Sequence, residues 1–198
     1  MGSAEVLADD YPAEHPKSRM FSILQDETGR LNQVLTRFLS FARSEPGEVV
    51  PFALESECLA VAQLMEHRSE PHSVKVICAD GVPPAKGNRE QVRQVLLNLA
   101  LNAAAAGGPD GDIRFEISAD GDKVRCAVID SGPGFTDEAL TQFGTPFYST
   151  KSDGTGLGLA TSLRIVEDLG GTLEPDAEYP GGGCVWLVLP AAPRKGPA

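Results

Sequence analysis

Two alternating segments constrain this chain more than any other feature. Ile113, Phe115 and Ile117 take every second position up to Asp120-Gly121, and Val124, Cys126 and Val128 do the same leading away from it. Successive side chains of a strand point to opposite faces, so the pattern predicts an antiparallel hairpin with one face in a core, turned at Asp-Gly. Just upstream, Asn88 to Ala106 is rich in Leu and Ala and stops at Gly107-Gly108-Pro109, which predicts a long helix.

Helical periodicity also runs from Leu54 to Arg68 and from Leu159 to Leu169, and Val74 to Ala79 reads as a short β-branched strand. Gly171 to Glu174 and Cys184 to Leu189 are strand-like, whereas Asp130 to Gly158 is rich in loop residues. Helices segregated against hairpin strands predict an α/β two-layer sandwich, a mixed and mostly antiparallel sheet covered by helices on one face. A bundle-type helix is expected to precede it over about residues 17–43, where Phe21, Leu24, Leu31, Leu35, Phe38 and Ala42 recur at steps of three and four around Thr28. Gly29 weakens that helix by about 1 kcal/mol relative to Ala, so its seam needs partner helices. A surface helix packed on its own domain is the alternative. Ser44-Glu45-Pro46-Gly47-Glu48 breaks it. The expected organisation is 1–45, a linker over 46–53, a globular domain over 54–190 and a flexible tail over 191–198.

At 198 residues and 41% hydrophobic composition the chain suffices for one ordinary domain and a shorter appendage. A net charge of -11 argues against nucleic acid or an anionic membrane as a partner. Such a protein must attract phosphate locally, through backbone N–H groups, a helix N-terminus, a metal ion or one placed cation. Cys58, Cys78, Cys126 and Cys184 lie far apart without zinc-ligand spacing and are expected to be reduced and mostly buried. No run approaches the about 20 apolar residues of a membrane span, so a cytoplasmic location without direct membrane contact is expected.

Three segments carry chemistry. Gly154-Thr155-Gly156-Leu157-Gly158-Leu159 opens a helix, whose free N–H groups and dipole suit an anion that glycine lets approach closely. Taken alone it is also compatible with a flexible turn. Asp130-Ser131-Gly132-Pro133-Gly134 ends the second hairpin strand with a carboxylate able to accept from an exocyclic amine, or else makes a simple Asp turn. Asn98 and Asn102 stand one turn apart on an apolar helix; amide oxygens suit Mg²⁺ beside phosphate, and they also suit backbone capping. None of these has the layout of a Rossmann or P-loop signature.

Their order, with Phe143-Gly144-Thr145-Pro146-Phe147 between the two glycine segments, strongly resembles the ATP-binding domain of sensor histidine kinases of two-component systems. The segments look like that family's N, G1, F and G2 boxes over roughly Phe52 to Pro190. The wider superfamily includes gyrase, heat-shock chaperone and mismatch-repair ATPases; Pro146-Phe147-Tyr148-Ser149-Thr150-Lys151 and the upstream helix favour the kinases. Residues 17–43 look like the second helix of the family's dimerisation and phosphoacceptor hairpin.

The resemblance implies ATP and Mg²⁺ as ligands, transfer of the γ-phosphoryl to a histidine on a dimerisation helix, and relay to a response-regulator aspartate. It implies that Asn102 ligates Mg²⁺, Asn98 helps hold metal or phosphate, Asp130 receives the adenine amine, and Gly132 and Gly134 shape the pocket. Lys151 would face the terminal phosphate, Thr155, Gly156, Leu157 and Gly158 would cradle the phosphates, and Phe135 to Gly154 would be a mobile lid. Partners implied are a response-regulator receiver domain and a second copy in the full-length protein, which is cytoplasmic in whole or as the cytoplasmic part of a membrane-anchored sensor. The acceptor His box is not recognisable: His15 is followed directly by Pro16, and His67 and His72 lie near the end of a helix. The alternative expectation is therefore a nucleotide-binding module inactive as an autokinase in this form.

Overall fold

A computed structural model describes residues 48–68, 72–151 and 154–193, together with Met20, Ile23, Leu24, Glu27 and Thr28. The chain divides into two compact units, Met1–Arg43 and Ser44–Ala198. The helix expected over 17–43 lies largely outside the described residues. The five that are described are helical, with Thr28 Oγ1 donating to the Leu24 carbonyl at 2.7 Å.

The second unit runs β1 (Val50–Phe52), α1 (Leu54–Glu66), β2 (Val74–Cys78), β3 (Ala85–Gly87), α2 (Arg89–Gly107), β4 (Ile113–Asp120) and β5 (Lys123–Asp130). Then follow α3 (Asp137–Thr141), α4 (Gly158–Asp168), β6 (Thr172–Pro175) and β7 (Cys184–Pro190). Five strands form one sheet in the order β2-β4-β5-β7-β6, with β2 parallel to β4 and every other pair antiparallel. Parallel neighbours require a crossover, and the connection from β2 to β4 carries α2 across the sheet. β4 and β5 are the hairpin, with Gly121 at φ 61 in its turn.

Register puts the alternating residues on one face. Phe115 faces Val128 and Ile117 faces Cys126, and β7 continues the row with Val185 beside Val128 and Leu187 beside Cys126. Cys58, Val61 and Met65 of α1, Val95, Leu96 and Leu99 of α2, and Ile165 and Val166 of α4 are buried in the same core. The opposite face holds a smaller cluster, Ala127, Ile129 and Cys184 under Tyr179 and Trp186. Arg125 lies 5.0 Å over the Trp186 ring, and Trp186 Nε1 donates to Asp176 Oδ2 at 3.2 Å. Among the described residues no helix is long and apolar enough to cross a membrane.

α1 and α2 are joined by charge as well as by packing. The Glu57 carboxylate is fully buried and accepts from Arg89 Nε at 2.8 Å through Oε1 and from Arg93 Nε at 2.9 Å through Oε2. The two arginines, four residues apart, share one face of α2 and clamp one carboxylate.

Three short elements escaped the periodicity. β1 lies inside the span expected as linker and pairs with β3, and α3 sits in the stretch read as loop. Three to five residues are too few to display a period. Order also runs past residue 190 into the expected tail: Ala191 bridges Ala85, and buried Ala192 donates to the Pro84 carbonyl at 2.7 Å.

Candidate functional site

One helix organises the site. Asn88 caps the start of α2, its Oδ1 accepting from Gln91 N at 3.0 Å, so the helix has a defined first turn. Positions 98, 102 and 106 follow at steps of four and lie along one stripe. Each meets a different segment. Asn98 Nδ2 donates to the Gly158 carbonyl at 3.4 Å and to Ser162 Oγ at 3.3 Å, at the beginning of α4. Asn102 Oδ1 accepts from Lys151 Nζ at 3.2 Å. The Ala106 carbonyl lies 2.8 Å from where a Cβ on Gly132 would stand, so only glycine lets the loop after β5 approach α2 this closely.

At the end of β5 a carboxylate is held in place. Asp130 Oδ1 accepts from Gly132 N at 2.8 Å and from Gly183 N at 3.1 Å, while the Asp130 backbone N donates to the Gly183 carbonyl at 2.9 Å. Among the described residues both side-chain bonds end on Oδ1, so Oδ2 keeps its capacity to accept from another donor. A Cβ on Gly183 would lie 2.4 Å from Oδ2, and one on Gly182 would lie 1.9 Å from the Asp130 carbonyl. Gly134 has φ 78, and its Cβ position is 3.2 Å from the Gly182 carbonyl.

The glycine loop and the F segment are built against each other. Gly156 has φ 66, and a Cβ there would stand 2.4 Å from the Phe147 carbonyl carbon and 2.6 Å from Tyr148 N. Phe147 N donates to the Gly156 carbonyl at 3.1 Å, and Phe147 itself is left-handed, φ 67, with an exposed ring. Ser149 Oγ accepts from Lys151 N at 3.1 Å and so sets the turn from which the Lys151 side chain leaves. Leu157 is buried, so it offers the loop its backbone and gives the core its side chain. It is also the N-cap of α4, where no side chain caps the helix. The amides of the first turn are thereby left to an anion.

Residues 87–193 match the family described as histidine kinase-, DNA gyrase B-, and HSP90-like ATPases. The chain belongs to this family. It is 33% identical to the sensor histidine kinase ZraS of Klebsiella oxytoca over 96% of this chain and 42% of that protein. It therefore spans less than half the length of that relative. The catalytic domain of the histidine kinase ThkA superposes with a TM-score of 0.66 at 30% identity, covering 73% of this chain and 97% of that domain. A structure of ThkA in complex with the response regulator protein TrrA agrees in fold, with a TM-score of 0.74 at 23% identity over 98% of this chain and 59% of that one. Full-length ShkA in complex with AMPPNP gives a TM-score of 0.75 at 27% identity over 94% of this chain and 41% of that one.

The structure brings expected residues of this ATPase-family domain into three groups, Asn98 with Gly158, Asn102 with Lys151, and Asp130 with Gly132, while Gly134 meets the Gly182 carbonyl instead. The Lys151 side chain is exposed, yet partial desolvation lowers its ammonium below its ordinary value, and the Asp130 carboxylate opposes that shift. Thr155 is half-buried in the glycine loop. Gly182 and Gly183 were not among the residues singled out, although the run Gly181-Gly182-Gly183 before the last strand was a visible signal. His67, exposed at the end of α1, has Nδ1 2.7 Å from the Gln63 carbonyl, and half-buried His72 has Nε2 3.2 Å from the Gly108 carbonyl; His15 lies outside the described residues.

The donor set fits a metal that arrives with its own ligands. Asn102 supplies one neutral amide oxygen, and among the described residues no cluster of three His, Cys, Asp or Glu side chains is placed to hold an ion. Mg²⁺ keeps several waters and shares its shell with phosphate oxygens, so such a site needs few protein ligands.

Proposed function

We propose that this domain binds ATP with Mg²⁺ and positions the γ-phosphoryl for in-line transfer to a histidine on a dimerisation helix. The observation that carries the reading is the Asp130 carboxylate, pinned through Oδ1 by two glycine amides with Oδ2 left to receive an adenine amine. From Asp130 the stripe on α2 leads past Asn102 and Lys151 to the open N-terminus of α4, in the order base, metal and phosphates. Asp130 would select the amine, Asn102 would ligate Mg²⁺, and Lys151 with the amides of Thr155 to Gly158 would hold phosphate oxygens. Asn98 would anchor the start of α4 beneath them. Bound Mg²⁺ supplies charge neutralisation on the phosphates, and the protein contributes positioning. Its homodimeric full-length form would pass the phosphoryl group to a response-regulator aspartate, a reading supported by the sensor-kinase relatives and by the ThkA complex with TrrA.

The test is incubation with γ-labelled ATP and a supplied dimerisation hairpin carrying a histidine. Acid-labile label on that hairpin is expected, together with markedly weaker ATP–Mg²⁺ binding by Asn102→Ala. Acid-stable label on serine would instead mark a serine kinase, and unchanged binding by Asn102→Ala would remove the metal assignment.

A further inference from the structure

Lys151 and Asn102 are 49 residues apart, yet the ammonium donates to the same amide oxygen that a metal ion would need. This contact is built rather than incidental. Ser149 Oγ fixes the Lys151 backbone, Gly154 N donates to the Lys151 carbonyl at 3.2 Å, and Phe147 N ties the segment 147–151 to the Gly156 carbonyl. Asn102 in turn sits midway along the α2 stripe, between the anchor at Asn98 and the close contact at Ala106. The Lys151 side chain is exposed and Asn102 is half-buried, so the pair is placed by the backbone bonds on either side of Lys151 and by the helix that carries Asn102.

Resting on the proposed ATP-binding function, we infer that Lys151 is a stand-in cation, which competes with a divalent metal for Asn102 Oδ1 and neutralises nucleotide phosphates when no metal is bound. A divalent ion coordinated at Oδ1 would face an ammonium across a few ångströms, and like charges at that separation exclude one another. A metal held by Asn102 would therefore displace Lys151 from that oxygen, and the ammonium would then contribute less to holding the phosphates than it does without metal. Lys151 is thus a positioning and specificity residue: it sets how strongly nucleotide affinity depends on divalent metal. A simple phosphate-binding lysine has no such effect, because it strengthens binding in both conditions alike.

The experiment measures ATP affinity by calorimetry, in EDTA and in saturating Mg²⁺, for the parent, Lys151→Met and Asn102→Ala, with thermal unfolding to show that each variant is folded. Lys151→Met should weaken binding in both buffers, and in EDTA by at least about threefold more than in Mg²⁺, so the advantage given by metal grows. Asn102→Ala should do the reverse. Its metal-free affinity stays within about threefold of the parent or improves, since Lys151 is released, while the advantage given by Mg²⁺ collapses to about twofold or less. Equal weakening by Lys151→Met in both buffers overturns the inference, as does an undiminished Mg²⁺ advantage in Asn102→Ala. If the parent itself binds no ATP in either buffer, the function proposed above fails instead, so the two failures are told apart.

Discussion

Replacing Gly183 by alanine tests the proposed adenine end of the site without replacing a charged group. The new Cβ would stand 2.4 Å from Asp130 Oδ2 and 3.0 Å from its carboxyl carbon. Ordinary contact needs about 3.5 Å, so the carboxylate must move by about 1 Å. That shift lengthens the 2.8 Å and 3.1 Å bonds that hold Oδ1 and turns Oδ2 away from its ligand. A hydrogen bond to a charged group contributes about 1.5–3 kcal/mol. Its loss corresponds to about 10- to 150-fold weaker binding. Calorimetric titration of ATP in Mg²⁺ reads this directly, with circular dichroism to confirm that the sheet persists. Gly181→Ala is the control, because its Cβ would meet only the edge of the Tyr179 ring, at 3.3 Å. The reasoning is refuted if a folded Gly183→Ala protein binds ATP within about twofold of the parent, a difference below one ordinary hydrogen bond.

Two further outcomes follow from the packing. Glu57→Ala leaves Arg89 and Arg93 facing each other without their carboxylate; as their side chains are 53% and 42% exposed they can rehydrate, so the cost should be about 2–3 kcal/mol rather than that of a fully buried pair. Urea unfolding checks this, and a loss under about 0.5 kcal/mol would show that the clamp adds nothing. For the thiols, Cys58, Cys126 and Cys184 are buried and Cys78 is partly exposed, so a thiol reagent near pH 8 should modify Cys78 alone in the folded protein and all four after unfolding. A bond to Cys126 and then burial raise the Cys58 thiol, and burial raises Cys184 from 9.0 to about 12. A raised thiol value stabilises the fold fully below 9.0 and loses that contribution as the pH climbs towards about 12. Stability should therefore fall with alkali above pH 9.0 less steeply in Cys184→Ser than in the parent, and identical slopes would remove Cys184 as the cause.

The hairpin, the long α2 helix and the glycine loops could be read directly from the residues, because each depends on neighbours a few positions away. Alternation of Ile113, Phe115 and Ile117 places them on one face whatever lies opposite, and Asn98 and Asn102 share a helix face by spacing alone. Their chemistry was less visible. An amide suits either a metal or a backbone cap, and only the packing of α4 against α2 commits Asn98 Nδ2 to Gly158 and Ser162. β1 and β3 were missed for a related reason: each is three residues long, and pairing with the other defines it as a strand.

Local periodicity thus marked α1, α2, α4 and the hairpin, and the order of four short segments carried the resemblance to an ATPase family. Which side chains meet is another matter, since strand order decides it. β7 enters the sheet beside β5 and so carries Gly183 over Asp130, 53 residues earlier in the chain. The segment 147–151 likewise brings Lys151 to Asn102 on α2, 49 residues earlier in the chain. Contacts at such separations depend on the summed packing of the sheet and its helices, a quantity that no local stretch of residues contains.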